Sequence, residues 1–87
     1  MSSWKTVRIP PSPSIAVDHA GEGELLVFLH GIGGNKRNWH DNIEAFAKHW
    51  QAVAWDARGY GESDDYEGPL TFTQYGDDLA RVLDHFK

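Results

Sequence analysis

The chain has 87 residues, a formal net charge of −5 and no cysteine. That length holds one domain at most, the charge argues against nucleic acid or an anionic membrane as a partner, and the lack of cysteine excludes a disulfide framework, a thiolate metal site and a cysteine nucleophile. Hydrophobic residues make up 40% and charged residues 24%, a globular balance, and neither an apolar leader in residues 1–5 nor a run of membrane length is present, so a soluble cytoplasmic protein is expected.

Residues 4–9 alternate loosely and predict a first edge strand; Pro10, Pro11 and Pro13 then exclude helix and sheet interior. A second strand is expected from Ile15-Ala16-Val17, and His19 to Gly23 form a turn rich in glycine and charge. Residues 25–29 are apolar without alternation and run into His30-Gly31-Ile32-Gly33-Gly34. A strand over 24–30, buried on both faces, fits that pattern, as in the parallel sheets of α/β proteins. Asn38 is a candidate helix N-cap, and Trp39, Ile43, Phe46 and Trp50 recur on one helical face. Ala52 to Trp55 predict another buried strand, ended by Asp56, and residues 57–69 a long loop. Thr71 and Gln74 match a capping box for a second amphipathic helix, its face made by Phe72, Tyr75, Leu79, Val82 and Phe86. The last four elements alternate as strand, helix, strand, helix, which implies a mostly parallel α/β sheet with right-handed crossovers.

Two glycine-bearing turns follow the two most apolar strands, where α/β sheets bind ligands. The first fails as a dinucleotide loop, because G-x-G-x-x-G places its third glycine at Lys36. It fails as a P-loop too, since the required Gly-Lys falls on Lys36-Arg37. Two readings stay open: a tight strand-to-helix turn, or a set of backbone N–H donors placed to hold an oxyanion. In the second turn, Asp56 to Asp64, Ser63 lacks the G-x-S-x-G setting of a nucleophile elbow. Asp56 and Arg58 are expected to pair with each other or to bond loop backbone, and His30 to bond loop backbone. The five histidines form no H-x-x-x-H pair, so no metal site is expected. Asp64-Asp65 and Asp77-Asp78 read as solvated pairs.

The stretch from Val27 to Gly34, then Trp39, then Trp55-Asp56-Ala57-Arg58-Gly59-Tyr60-Gly61-Glu62-Ser63-Asp64, resembles the N-terminal part of the α/β-hydrolase superfamily. The likeness is to its esterase, lactonase, perhydrolase and C–C hydrolase branch. It extends from about residue 14 to residue 86, with His-Gly at the end of an apolar strand and Asp-x-Arg-Gly-x-Gly-x-Ser about 25 residues on. The resemblance implies that the Ile32 N–H is one oxyanion-hole donor, with Gly31 and Gly33 completing the oxyanion loop. It puts Trp39 beside the substrate pocket and makes His30, Asp56 and Arg58 structural. Haloalkane dehalogenases usually carry Asn where Ile32 stands, and many epoxide hydrolases carry Pro where Gly33 stands, so a serine nucleophile acting on an ester or related acyl substrate is implied, with no cofactor. In the family the serine, acid and histidine of the triad all follow the fifth strand, beyond Lys87.

The chain therefore reads as an incomplete hydrolase domain over 1–87, with the first edge strand and Pro-rich connection in 1–13 and the remainder in 14–87. Such a segment is expected to be inactive alone. Its strand over 24–30 would form an open edge, recruiting the missing C-terminal part or a second copy. The small-molecule substrate belongs to the complete enzyme. The other reading is a non-catalytic α/β module that self-associates or binds a partner.

Overall fold

The apolar runs after Glu24 and Trp50 lie side by side as parallel strands in the computed structural model, which describes residues 4–87. Residues 1–3 of the stretch 1–13, with Ser2 and Ser3, lie outside the described residues. The elements are β1 (Lys5–Ile9), β2 (Ile15–Ala20), β3 (Glu24–Phe28), a 3-10 turn (Lys36–Trp39), α1 (His40–Phe46), β4 (Trp50–Trp55) and α2 (Phe72–His85). One sheet runs in the order β1-β2-β4-β3. This is the N-terminal portion of an α/β-hydrolase fold, as the sequence implies. Within it the sheet is mixed: β3 and β4 pair in parallel through a helical crossover, while β1–β2 and β2–β4 are antiparallel. The short Pro-rich connection between β1 and β2 is too brief for the crossover that a parallel pair needs.

β4 sorts its side chains by size. Ala52 and Ala54 face α1 and join Ile43, whereas Val53 and Trp55 face α2 and join Ile15, Val17 and Val82. Small residues on one face let the short α1 lie close, with Trp39 and Phe28 filling its flank. Removing a side chain such as Val53 or Ile43 from water contributes roughly 1.5–3 kcal/mol. A one-residue slip of β4 would turn Trp55 toward α1 and alanine toward α2, so the register Val27↔Val53 is specified by volume as well as hydrophobicity.

Three local boundaries differ from the sequence expectation. β3 ends at Phe28, leaving Leu29 and His30 outside the strand, and Leu25 to Phe28 are half-buried instead of buried on both faces, because β3 lies at the sheet edge. The cap of the next segment is Asn35: its side chain accepts from Arg37 N–H at 2.8 Å, and Asn38 Oδ1 accepts from Asn35 N–H at 3.1 Å, a reciprocal box around a 3-10 turn. Asn38 is thus the third residue of that turn. Trp50 begins β4 instead of closing the helix. The helical spacing from Phe46 to Trp50 is accidental, because the helix ends at Phe46 and His49 N–H bonds the Phe46 carbonyl at 3.1 Å.

α2 starts at the expected capping box, with Gln74 N–H on Thr71 Oγ1 at 3.2 Å and Thr71 N–H on Gln74 Oε1 at 2.9 Å. Its anchor is Asp78, which is not solvated but 0% exposed. Arg58 grips it with two parallel bonds of 2.7 Å, and Arg81 adds a third at 2.8 Å. Arg81 also donates to the carbonyls of Pro11 and Pro13 at 2.8 and 2.9 Å, tying the helix to the Pro-rich connection. Burial alone would raise the Asp78 carboxyl, but the two guanidinium groups outweigh it and hold it below the ordinary carboxylate value. Asp64, also expected to be solvated, accepts from Ser14 N–H at 2.9 Å and pairs with Arg8 at 2.7 Å.

Candidate active site

The loop after β3 is built round one turn. Gly34 N–H donates to the Gly31 carbonyl at 3.0 Å, and Gly33, the third residue of the turn, has φ +80°. That is the signature of a type II turn, which favours glycine at this position. Ile32 occupies the second position and is 99% exposed. Its amide donates to no group among the described residues, and a Cβ placed on Gly31 or Gly33 would meet nothing within 4 Å. The turn thus carries an N–H with no partner among the described residues.

His30 ties the start of this loop to the loop after β4. Its Nε2 accepts from Ala57 N–H at 3.0 Å, which leaves the proton on Nδ1, facing the Gly31 carbonyl at 2.8 Å. Both ring nitrogens are engaged with loop backbone, and the ring leans on Tyr60 with centroids 4.9 Å apart.

The other end of the loop is held by Asp56. Its Oδ1 accepts from Lys36 N–H at 2.7 Å and its Oδ2 from Glu62 N–H at 2.8 Å. So Asp56 bonds loop backbone, while the expected Asp56–Arg58 pair is not formed, because Arg58 reaches α2 instead. Gly61 lies over the same carboxylate: a Cβ there would sit 2.3 Å from Asp56 Oδ2, and its φ is +49°. Ser63 is used up structurally, its hydroxyl donating to the Asp56 carbonyl and accepting from Ala16 N–H at 2.8 Å.

The sequence reading missed Lys36. It is 2% exposed, and its ammonium contacts Glu62 directly, Asp56 at 3.4 Å and Asp18 at 3.6 Å. Burial alone would push the ammonium down, but these three carboxylates outweigh it and hold it above its ordinary value. Asp18 in turn meets His40 Nε2 at 2.6 Å and the Thr6 hydroxyl. In sequence Lys36-Arg37 is simply an adjacent basic pair, and nothing local distinguishes the buried member. Among the described residues no group of three or more histidines, cysteines and carboxylates is placed to hold a metal ion.

On the α2 side of the oxyanion-loop candidate opens an apolar cleft of about 300 Å³. His30, Gly31 and Ile32 form one wall, Trp55 and Tyr75 the floor, and Phe72, 92% exposed, stands at the rim. Trp39 does not line this cleft. It stacks on Phe28 with centroids 5.1 Å apart, in the cluster beneath α1. The aromatics lining the cleft come from β4 (Trp55), the loop after it (Tyr60) and α2 (Phe72, Tyr75), and the spacing of those on β4 and α2 reads as core.

Residues 24–87 match the family model described as the alpha/beta hydrolase fold. The chain is 36% identical over 59 residues to (E)-2-((N-methylformamido)methylene)succinate hydrolase of Acinetobacter baylyi, covering 68% of this chain and 22% of that protein. It is 30% identical over 77 residues to 3-oxoadipate enol-lactonase 2 of the same organism, covering 84% of this chain and 29% of that one. Among solved structures, an epoxide hydrolase from Vigna radiata superposes with TM-score 0.90 at 26% identity, over 97% of this chain and 27% of the other. The chain therefore spans well under a third of the length of these relatives. It belongs to the α/β-hydrolase fold family.

Proposed function

We propose that this member of the family supplies the oxyanion loop of a serine-type hydrolase acting on an ester or related acyl bond. The observation that carries the reading is the unpaired Ile32 N–H, held in a glycine turn at the end of a parallel strand beside an apolar cleft. A carbonyl carbon under attack places its developing negative charge on oxygen, and a donor fixed beforehand stabilises that charge without reorganising. Gly31 and Gly33 leave room for the substrate carbonyl to approach the backbone. The cleft between Ile32, Trp55 and Phe72 receives the apolar part of the substrate. The nucleophile, its base and acid, and the second donor come from the rest of the enzyme, and no cofactor is required. Likeness to a lactonase favours acyl chemistry, and Gly33, where many epoxide hydrolases carry Pro, sets the chain apart from the epoxide hydrolases that it also resembles in sequence.

The partner in this reading is the remainder of the hydrolase, which adds its strand beside β3. Among the described residues β3 has β4 on one side only, and an apolar strand with one free edge is a template for a further strand. Homo-oligomers through the same edge are the competing outcome. No helix of the described residues is long and apolar enough to cross a membrane, and a cytoplasmic location is part of this proposal. Hydrolysis of p-nitrophenyl acetate tests it. The 87-residue chain alone is expected to give no turnover above background, and turnover is expected when it is joined to the remainder of a related hydrolase. A burst of nitrophenol from the chain alone, or an inert joined protein that folds, would overturn the reading.

A further inference from the structure

The tip of the turn that presents the Ile32 amide, Ile32 and Gly33, is free of packing, and the turn is held at its base, where His30 Nδ1 faces the Gly31 carbonyl at 2.8 Å. The Ile32 side chain is 99% exposed, Gly31 and Gly33 face open space, and the one bond within the turn is Gly34 to Gly31. A donor preset for a developing charge must nevertheless be fixed in space. Its position is therefore set by the two ends of the loop. One end is His30, bonded to Ala57 N–H. The other is Lys36, and here the backbone contact to Asp56 depends on the side chain. Asp56 accepts from both Lys36 N–H and Glu62 N–H, one on each oxygen, and it is buried. A buried carboxylate without a counter-charge is strongly unfavourable. The Lys36 ammonium is that counter-charge, and it also bonds Glu62, the residue whose amide closes the same carboxylate from the other side.

We propose that Lys36 is the positioning residue of the oxyanion loop, locking the loop after β3 to the loop after β4 through Asp56 and Glu62 and so fixing the Ile32 amide. The functional meaning of that lock rests on the hydrolase reading above; the lock itself does not. A mere fold-stabilising role would loosen the whole sheet evenly, whereas a positioning role loosens one turn.

Amide relaxation and hydrogen exchange on the 87-residue chain separate the two. In Lys36→Met, the Ile32 and Gly33 amides are expected to fall from rigid order parameters of about 0.85 to below about 0.6. The Gly34 amide should exchange roughly tenfold faster, while the amides of β4 keep their wild-type protection. A folded Lys36→Met chain with an unchanged turn, or with protection lost evenly throughout, overturns the proposal. If the variant does not fold, the wild-type chain gives the answer. Under increasing denaturant its Gly34 and Glu62 amides should open together, below the global transition, and independent opening overturns the lock. None of these readouts involves ester turnover, so the lock and the hydrolase reading can fail separately.

Discussion

Gly31 and Gly61 are each part of a glycine turn, yet the structure gives them opposite tolerances. At Gly61 an added Cβ would collide with the Asp56 carboxylate at 2.3 Å, and the φ of +49° disfavours any side chain. Gly61→Ala combines left-handed strain with overpacking and is expected to cost about 2–4 kcal/mol. At Gly31 nothing lies within 4 Å, so Gly31→Ala should leave stability within about 0.5 kcal/mol. Urea midpoints of the two variants check the contrast, and equal losses would contradict it. The sequence marks both positions as turns. It does not distinguish a glycine required by a neighbour from one facing space, because the neighbour, Asp56, is brought there by the folded loop.

At the scale of elements, α2 is held by its apolar stripe and by one buried carboxylate. Asp78 sits between Arg58 and Arg81, and Asp78→Ala leaves two cations facing a buried hole. A loss of about 3–5 kcal/mol is expected from breaking such a pair, read as a shift of the denaturant midpoint. Its folded-state carboxyl is held below the usual 3.8. The stability it supplies is therefore complete above pH 3.8 and is lost as pH falls from there through the lower folded value. His19 acts in a different window. Burial first, then the nearby His85 and Lys5, hold its imidazole below the usual 6.5, with Asp18 opposing. The ring packs on Phe86 at 5.1 Å, where α2 ends. Protonation opposes folding here, so stability is full above pH 6.5 and declines as pH falls through the depressed folded value. His19→Phe should flatten that decline in thermal melts between pH 7 and 5, and an unchanged slope would contradict the assignment. The amphipathic periodicity of α2 and its Thr71 cap are legible in the sequence because both are local patterns. Asp78 is not, since an Asp-Asp pair on a helix looks solvated until residues 20 positions away fold over it.

Across the whole molecule, the sheet order β1-β2-β4-β3 leaves the strand that leads to the turn at the sheet edge. Self-association of the 87-residue chain at micromolar concentration is the expected consequence, measured by light scattering; a stable monomer would count against it. The run at residues 25–29 and the spacing from His30 to Asp56 made the fold readable. Strand character and turn glycines are recorded locally, and the family resemblance supplied their order, whereas the burial of residues 24–30 on both faces is not met, because β3 lies at the sheet edge. The lock between the two loops was not readable, because Lys36, Asp56, Glu62 and Asp18 meet only after the parallel pairing of β3 and β4 brings their ends together. Trp39 packs on the alanine side of β4, away from the cleft beside Ile32, because its helical face points there.

The proposed oxyanion role rests on a single backbone N–H, and the turn that carries it permits a clean test. Ile32 stands at the second position of a type II turn, where proline is favoured. Ile32→Pro therefore removes the donor while keeping the loop. In the chain joined to the remainder of a related hydrolase, kcat for p-nitrophenyl acetate is predicted to fall about 10²–10³-fold with KM little changed. An Ile32→Pro enzyme that retains its kcat would contradict the assignment of the Ile32 amide to the oxyanion hole.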